Sequence, residues 1–236
     1  MEAIWLCVVF LTGSLAQQDM GRNVFLFPKE TSTSYVILKP SVVKSLDKLT
    51  LCLQSYSDLT RSYPLFSVAT TGSGNYNTFV IVSSPSKAYY VYVDNEETMI
   101  STGAEVLDWK HTCVTWDSET GIIQLWLNGK LFPRKISKKG FTINEKTSII
   151  LGQEQDNFGG GFDPKQSFVG EMSDVNLWDY VLTPPDIEKL LLNSKDVTGN
   201  IISWKSLNYE SKGGVFLDLK LQCKSWTYMF NSYHQC

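Results

Sequence analysis

Residues 121–135 read GIIQLWLNGKLFPRK, and this stretch indicates which fold class the chain adopts. Asn128 and Gly129 stand between two apolar segments, and both residue types tolerate the positive φ angles of a type I′ turn. The flanking segments are rich in β-branched and aromatic residues, which favour strands. The stretch therefore predicts an antiparallel β-hairpin.

Segments of the same kind recur through most of the chain. Between residues 23 and 182, short apolar or alternating runs rich in Val, Ile, Thr and aromatics are separated by turn residues, a pattern typical of a β-sandwich. The sequence has no internal repeat or low-complexity linker, so we expect one domain. The predicted strands are 35–38, 49–53, 78–82, 89–93, 121–127, 148–151 and 172–178.

One segment departs from the strand pattern. Residues 183–194, TPPDIEKLLLNS, offer a Thr that can cap a helix, prolines at the first helical positions and acids in the first turn. They predict a short helix that packs on a sheet face through Leu190, Leu191 and Leu192. A further strand is expected around 201–204, before an aromatic tail at 221–236.

The N-terminus has the pattern of a secretory signal. Residues 4–11 are apolar, and small residues follow at 14–16, so we expect cleavage after residue 16, a mature chain beginning near Gln17 and a secreted protein. No later segment is long enough to predict a transmembrane helix. Without Cys7 an even number of cysteines remains, which permits disulfides in an oxidising compartment but leaves three pairings open. They are Cys52, Cys113, Cys223 and Cys236.

Charge and motif content argue against several function classes. The 236 residues carry a formal net charge of −3 with no extended basic stripe, so nucleic acid is not an expected partner. The basic segment 133–140, PRKISKKG, reads as the solvated end of a hairpin, with a patch for polyanions as the alternative. His111 and His234 are the only histidines, and neither adjoins a nucleophile motif. Glu171 and Asp174 are three residues apart, a spacing predicted to place them on opposite faces of a strand, so a paired-carboxylate glycosidase is not expected.

A glycine-rich acidic loop carries the clearest chemical signal. Residues 152–166, GQEQDNFGGGFDPKQ, bring Glu154, Asp156 and Asp163 together with the amides of Gln155 and Gln166. Carboxylates this close raise one another's pKa unless a cation or a set of donors lies among them. An all-oxygen ligand set suits calcium better than magnesium or zinc. The alternative is a solvated acidic loop that binds no ion.

Four segments resemble the pentraxin family along about residues 17–219. They are NVFLFPKETSTSYVILKP at 23–40, HTCVTWDS at 111–118, IILGQEQDNFGGGFDPKQSFVGEMSDVNLWDYVLTP at 149–184 and ISWKSLNYE at 202–210. The resemblance implies a pentraxin domain over 17–220, followed by a tail at 221–236. It implies an all-β, two-sheet jelly-roll sandwich of the legume-lectin type with one helix on a sheet face. It also implies a disulfide between Cys52 and Cys113 and a ring of protomers, usually five.

The resemblance further implies two calcium ions on one face of each protomer. Glu154 and Asp156 would bridge the ions and Gln155 would offer its carbonyl, while Asp163 and Gln166 would complete the outer ion. The family also supplies an Asp-Asn pair from an earlier loop.

That pair is incomplete in this chain. Tyr76 and Asn77 stand at its positions, so Asn77 keeps the amide ligand and the carboxylate is missing. Asn75 is a substitute if the loop SGNYN, 73–77, is rearranged. Because ligand charge tunes calcium affinity, we expect weaker binding and not its loss.

A ligand pocket is implied beside the calcium ions. The family binds phosphocholine, phosphoethanolamine or anionic glycans through calcium, and Val82, Tyr92 and Glu97 stand at pocket positions. Val82 replaces the aromatic ring that some members place against choline methyls, whereas Glu97 would face an ammonium group. An exposed strand end without a ligand role is the alternative for Tyr92 and Glu97.

The resemblance as a whole implies a secreted, non-enzymatic pattern-recognition protein of innate immunity, of the acute-phase type. Its calcium-free face would engage complement and phagocyte receptors. The alternatives are a sandwich-fold carbohydrate-active enzyme and a laminin-G-like adhesion module. The tail departs from the family pattern, and Cys223 and Cys236 could pair with each other or link protomers.

Overall fold

Antiparallel strands form two stacked sheets in the computed structural model of this chain. It describes residues 18–72, 74, 76–85, 87–104, 106–192 and 197–221, and the backbone of 224–228 and 231–235. The predicted signal segment 1–16, the candidate ligand Asn75 and the cysteines Cys223 and Cys236 lie outside these residues.

The strands are listed in chain order. They are β1 (Asn23–Phe27), β2 (Tyr35–Lys39), β3 (Lys48–Tyr56), β4 (Tyr63–Thr70), β5 (Phe79–Ser84), β6 (Ala88–Val93), β7 (Glu96–Ser101), β8 (Lys110–Asp117), β9 (Ile122–Leu127), β10 (Lys130–Leu131), β11 (Lys135–Ile136), β12 (Thr147–Leu151), β13 (Gly170–Trp178), β14 (Asn208–Lys212), β15 (Phe216–Leu219), β16 (Lys224–Tyr228) and β17 (Asn231–Gln235). The predicted strands are confirmed, except that residues 201–204 form a single bridge, Leu177 to Ile202, and then enter a 3₁₀ turn at Trp204–Ser206.

The two large sheets have different strand orders. The eight-stranded sheet runs β10-β9-β8-β3-β13-β1-β15, with β11 also beside β9, and the seven-stranded sheet runs β14-β2-β12-β4-β5-β6-β7. This is the expected all-β, two-sheet jelly-roll sandwich. The crossovers between distant strands explain why short-range sequence patterns predict the strands but not their order.

The core lies between the sheets because strand residues alternate in direction. In β6, Tyr89, Val91 and Val93 are fully buried in the core, whereas Tyr90 and Tyr92 are half-buried on the outer face of the seven-stranded sheet. This alternation is what frees one face of the sheet to carry polar chemistry.

The hairpin predicted from residues 121–135 is confirmed. Asn128 has φ 49° and Gly129 has φ 81°, and Lys130 pairs with Leu127 across the turn. Positive φ at both central residues is the type I′ arrangement that matches the twist of the flanking strands.

The predicted helix is confirmed, but its packing face is partly wrong. The helix α1 spans Pro184–Leu191 after an N-terminal Thr183. Ile187 is buried at 1% exposure and Leu190 packs beside it, whereas Leu192 is 54% exposed. A turn of 3.6 residues places positions 187, 190 and 191 on one face and turns 192 away from it.

A disulfide joins the two central strands under the helix. Cys52 and Cys113 are register partners on β3 and β8, and their sulfurs are bonded, which confirms the pairing implied by the resemblance. The bond closes a loop with a sequence separation of 61, for which chain entropy predicts a contribution of about 4 kcal/mol to stability.

None of the helices in the described part of the chain is long and apolar enough to cross a membrane.

The tail forms a small sheet of its own. Strands β16 and β17 pair antiparallel, with Lys224 opposite Gln235 and Tyr228 opposite Asn231.

The pairing of the two tail cysteines stays a prediction with two outcomes, because Cys223 and Cys236 lie outside the described residues. If they bond within one chain, non-reducing electrophoresis should show the monomer mass. A band at twice the monomer mass that disappears in the double variant Cys223→Ser, Cys236→Ser would support the inter-chain alternative.

Candidate functional site

The acidic loop at 152–166 folds back over the outer face of the seven-stranded sheet, and Gln155 anchors it there. The Gln155 side chain is fully buried, and its Nε2 donates to the carbonyl oxygens of Ser67 at 3.0 Å and Ser148 at 3.1 Å. Its Oε1 accepts from the Gly159 N–H at 2.9 Å. Because the side-chain amide is used inside the protein, the group that Gln155 can offer an ion is its backbone carbonyl.

A tight turn at the tip gives the loop its shape. Asn157 and Gly160 exchange backbone hydrogen bonds of 3.1 and 3.0 Å. At Gly161, φ is 78°, and an added Cβ would lie 2.8 Å from the Cβ of Asp156. Only glycine fits this conformation, and its close approach holds Asp156 at the base of the turn.

The carboxylates in the loop disfavour one another's ionisation. Glu154 is half-buried, and this burial, together with the charge of Asp156, raises the pKa of its carboxyl above the usual range. An ion-free loop therefore pays a penalty at neutral pH for ionising Glu154. A cation between Glu154 and Asp156 would remove that penalty.

The far end of the loop presents two more oxygen groups. Asp163 caps the 3₁₀ turn Pro164–Gln166, where its Oδ1 accepts from the Lys165 N–H at 2.9 Å. The Oε1 of Gln166 is buried and has no hydrogen-bond partner in the structure. The Lys165 ammonium pairs with Glu30 at 3.0 Å, and this contact is the main cause of the lowered pKa of Glu30. The one lysine of the loop is thus paired outside it.

Asn77 is positioned by the turn between β6 and β7. Its N–H donates to the Oδ1 of Asn95 at 3.3 Å, and the Asn95 N–H donates to the Asn77 carbonyl at 2.9 Å. The Asn77 side-chain Oδ1 is buried and has no hydrogen-bond partner. The neighbouring Tyr76 provides no carboxylate.

These groups fit a calcium site. Buried acceptors normally find a donor, yet the side-chain oxygens of Asn77 and Gln166 have none, and Glu154 and Asp156 are unfavourably close. Calcium accepts carboxylate, amide and carbonyl oxygens in flexible numbers, so it is the cation whose chemistry suits these groups.

The residues that would hold calcium come from two segments of the chain. The loop supplies most of them and the segment before β5 supplies the remaining amide. They are Asn77, Glu154, the carbonyl of Gln155, Asp156, Asp163 and Gln166.

The predicted pocket residues lie on the same sheet face. Ser67, Val80, Tyr92 and Glu97 form one cross-strand row over β4, β5, β6 and β7, and Ser67 is the residue that anchors Gln155. The Tyr92 hydroxyl donates to Glu97 at 2.5 Å. Burial first, then this bond and the charges of Glu97 and Glu154, raise the pKa of Tyr92. Tyr92 therefore lies within electrostatic reach of the acidic loop.

The predicted separation of Glu171 and Asp174 is wrong. A β-bulge between Ser173 and Asn176 adds one residue to β13, with Asp174 at φ 55°. Lys220 Nζ lies 3.5 Å from Asp174 and also interacts with Glu171. The two acids therefore flank an amine on the outer face of the eight-stranded sheet, and they do not form a free carboxylate pair across a cleft.

A cavity of about 320 Å³ lies on this opposite face, beside α1, and Lys220 lines it. The Lys220 ammonium also lies 4.0 Å above the Trp109 ring. Burial lowers the pKa of Lys220, against the opposing influence of Asp174. The ligand atoms of Cys52, His111 and Cys113 lie within 4.8 Å of one another, but the disulfide removes both thiolates.

Sequence reasoning missed two supporting residues. Asn95 belongs to an Asp-Asn turn with positive φ at both positions, and this turn could have been predicted from the dipeptide itself. Ser67 holds Gln155 across a sequence distance of 88 residues, so no local pattern indicates its role.

Comparisons with known proteins agree with this architecture. The sequence model of the Pentaxin family matches residues 23–218. C-reactive protein of Xenopus laevis is 50% identical over 236 residues, covering 100% of this chain and 99% of the relative. C-reactive protein of Homo sapiens is 41% identical, covering 89% and 95%. The heptameric SAP-like pentraxin from Limulus polyphemus superposes with a TM-score of 0.77 at 25% identity, covering 86% and 97%.

The strained position of Glu154 predicts opposite effects of one substitution. Glu154→Gln removes a charge disfavoured by burial and by Asp156, so with chelator at pH 7 the free energy of unfolding should stay equal or rise. With excess calcium the variant should gain less stability than the wild type, because its affinity falls by about tenfold, or about 1.4 kcal/mol. Chemical denaturation with and without calcium measures both effects.

The control is Glu188→Gln, which removes an exposed carboxylate on α1 and should change neither value. Loss of stability by Glu154→Gln in chelator would contradict the ion-site interpretation.

The raised pKa of Glu154 also predicts a pH dependence. In chelator, the free energy of unfolding of the wild type should rise as the pH falls through this raised pKa, because the folded state then holds a proton that the unfolded state does not.

Proposed function

The chain belongs to the pentraxin family, whose members are recognition proteins of innate immunity and not enzymes, and we propose that it is a secreted, calcium-dependent receptor for phosphorylated head groups. The observation that carries this proposal is the set of unsatisfied oxygens around the loop at 152–166. Phosphocholine and phosphoethanolamine are the first ligand candidates, and anionic glycans are chemically related ones.

Calcium supplies a positive centre for an anionic ligand on the exposed face. The chain's own part is to fix the oxygens: Gln155 ties the loop to Ser67, and Asn95 holds Asn77. Metal coordination then makes an arginine cluster unnecessary for binding the anion. Glu97, held by Tyr92, provides the negative charge that an attached ammonium group requires.

A ring of like protomers is the assembly we propose, with five members or stacked fives by the family resemblance. The two ends of the eight-stranded sheet carry complementary features. Leu131 and Ile136 are exposed beside the basic residues of 133–140, whereas Phe216 and Leu219 are exposed on β15 beside Asp218. Because the two ends differ, they favour a heterologous contact between neighbouring protomers. Such contacts close into a ring when the rotation between neighbours permits it. Several weak sites on one face would then gain avidity.

The face that carries α1 and the cavity is the one we propose for complement and phagocyte receptors. It lies on the other sheet from the acidic loop, so a protomer could hold a ligand and a receptor at once. No residue of that face is needed for the calcium site.

Affinity chromatography tests the proposed function directly. The protein should be retained on phosphocholine or phosphoethanolamine resin in calcium and elute with chelator. Retention that chelator does not reverse, or no retention on either resin, would contradict the proposal.

The missing carboxylate at Tyr76 generates a second prediction. Tyr76→Asp restores a charged ligand beside Asn77, so calcium affinity should rise by about tenfold, since ligand charge tunes affinity. Isothermal titration calorimetry measures it, with Tyr76→Phe as the control. Wild-type binding of two ions at submicromolar affinity would show that the missing carboxylate does not matter.

A further inference from the structure

The segment 111–118, HTCVTWDS, contains residues that the proposed calcium site does not use. His111 and Cys113 are two residues apart on β8, so their side chains lie on the same face of the strand. Cys52 is the register partner of Cys113 on β3, with 4.1 Å between the Cα atoms. The ring nitrogens Nε2 and Nδ1 of His111 lie 3.7 and 4.0 Å from the Cys113 sulfur. Two sulfurs and an imidazole therefore meet at one point of the eight-stranded sheet.

The spacing of these groups is close to that of ligands around a zinc ion. With Zn–S bonds of about 2.3 Å and Zn–N bonds of about 2.0 Å, a tetrahedral ion separates two sulfurs by roughly 3.8 Å and a sulfur from a nitrogen by roughly 3.6 Å. His111 and Cys113 already have the second separation. The sulfurs of Cys52 and Cys113 are bonded to each other, so they reach the first separation only when reduction lets them move apart.

The surroundings of the three groups differ on their two sides. Trp178 and Ile187 pack against Cys52 and Cys113 on the side of α1, whereas Cys52 and His111 line the cavity of about 320 Å³. The cavity gives a small reductant and an ion a route to the sulfurs. Two thiolates and a zinc ion together carry no net charge, so this buried position can hold the dication without an uncompensated charge.

We infer that, after reduction of the disulfide, Cys52, His111 and Cys113 bind one zinc-class ion whose fourth position is open to the cavity. Nitrogen and sulfur donors suit zinc, whereas calcium takes oxygen ligands, so this site is separate from the loop at 152–166. Three protein ligands with an exchangeable fourth position are the arrangement in which zinc binds water or a small ligand. The inference is independent of the proposed function.

Reduction and metal binding balance as two steps. A phosphine reductant supplies two electrons to the S–S bond and is oxidised to its oxide, while water supplies the oxide oxygen and the two thiol protons. The ion then displaces these two protons, so both cysteines bind as thiolates and His111 binds as a neutral imidazole. Coordination by the ion replaces the covalent link between β3 and β8.

Cobalt(II) absorption tests this inference, because thiolate-bound cobalt has an intense near-ultraviolet charge-transfer band that oxygen ligands do not produce. The test uses the mature chain with Cys223→Ser and Cys236→Ser, in saturating calcium, so that only Cys52 and Cys113 can provide thiolates. After reduction and removal of the phosphine without oxygen, the band should saturate at one equivalent of cobalt and disappear when zinc is added. The oxidised protein should show no band.

A substitution at His111 tests the nitrogen ligand. In the reduced protein, His111→Asn should weaken zinc binding by at least about tenfold, since loss of a group that merely supports a metal ligand already costs that much. Displacement of cobalt by zinc measures the affinity. His234→Asn, which removes the other histidine of the chain, is the control and should keep the affinity of the unsubstituted protein.

Thermal unfolding distinguishes a site in the folded protein from binding to the unfolded chain. Zinc should raise the unfolding midpoint of the reduced protein. If reduction alone unfolds the chain, zinc should restore the native near-ultraviolet circular dichroism. The inference is overturned by the absence of a charge-transfer band after reduction, by equal zinc affinities of His111→Asn and the control, or by zinc that fails to stabilise the folded state.

Discussion

The buried amide of Gln155 is the contact on which the proposed site depends. It joins the acidic loop to β4 and β12 through Ser67 and Ser148, while its oxygen fixes the turn at Gly159. A buried amide with both ends satisfied is costly to displace. The fold therefore holds Glu154 and Asp156 next to each other, although their charges oppose this arrangement.

The unfavourable arrangement has a function in this account. A loop that relaxed its carboxylates apart would be more stable without an ion and would bind one less tightly. Here Glu154 has a raised pKa and the side-chain oxygens of Asn77 and Gln166 have no hydrogen-bond partner, and a bound cation would relieve both. Functional sites commonly store such local instability in an otherwise well-packed domain.

Sequence reasoning predicts this molecule well where the interactions are local. The hairpin at Asn128 and Gly129 depends on φ preferences of two residues, and the loop acids are visible as a cluster. It fails where geometry depends on distant partners. The β-bulge that brings Asp174 toward Lys220, and the anchoring of Gln155 by Ser67, arise from pairing between strands far apart in sequence. The predicted packing of Leu192 is wrong for a local reason, because the helical periodicity that places Ile187 and Leu190 on the sheet turns position 192 away from it.

The two sheets carry different proposed functions. The outer face of the seven-stranded sheet holds the acidic loop, Tyr90 and Tyr92, whereas the disulfide lies in the other sheet with α1 packed beside it. The central claim is that the loop holds two bridged dications, and anomalous diffraction from crystals grown with a calcium-like lanthanide tests it most directly. The account predicts two peaks per protomer, both in contact with Glu154 and Asp156. A single peak, or peaks that avoid these carboxylates, would contradict it.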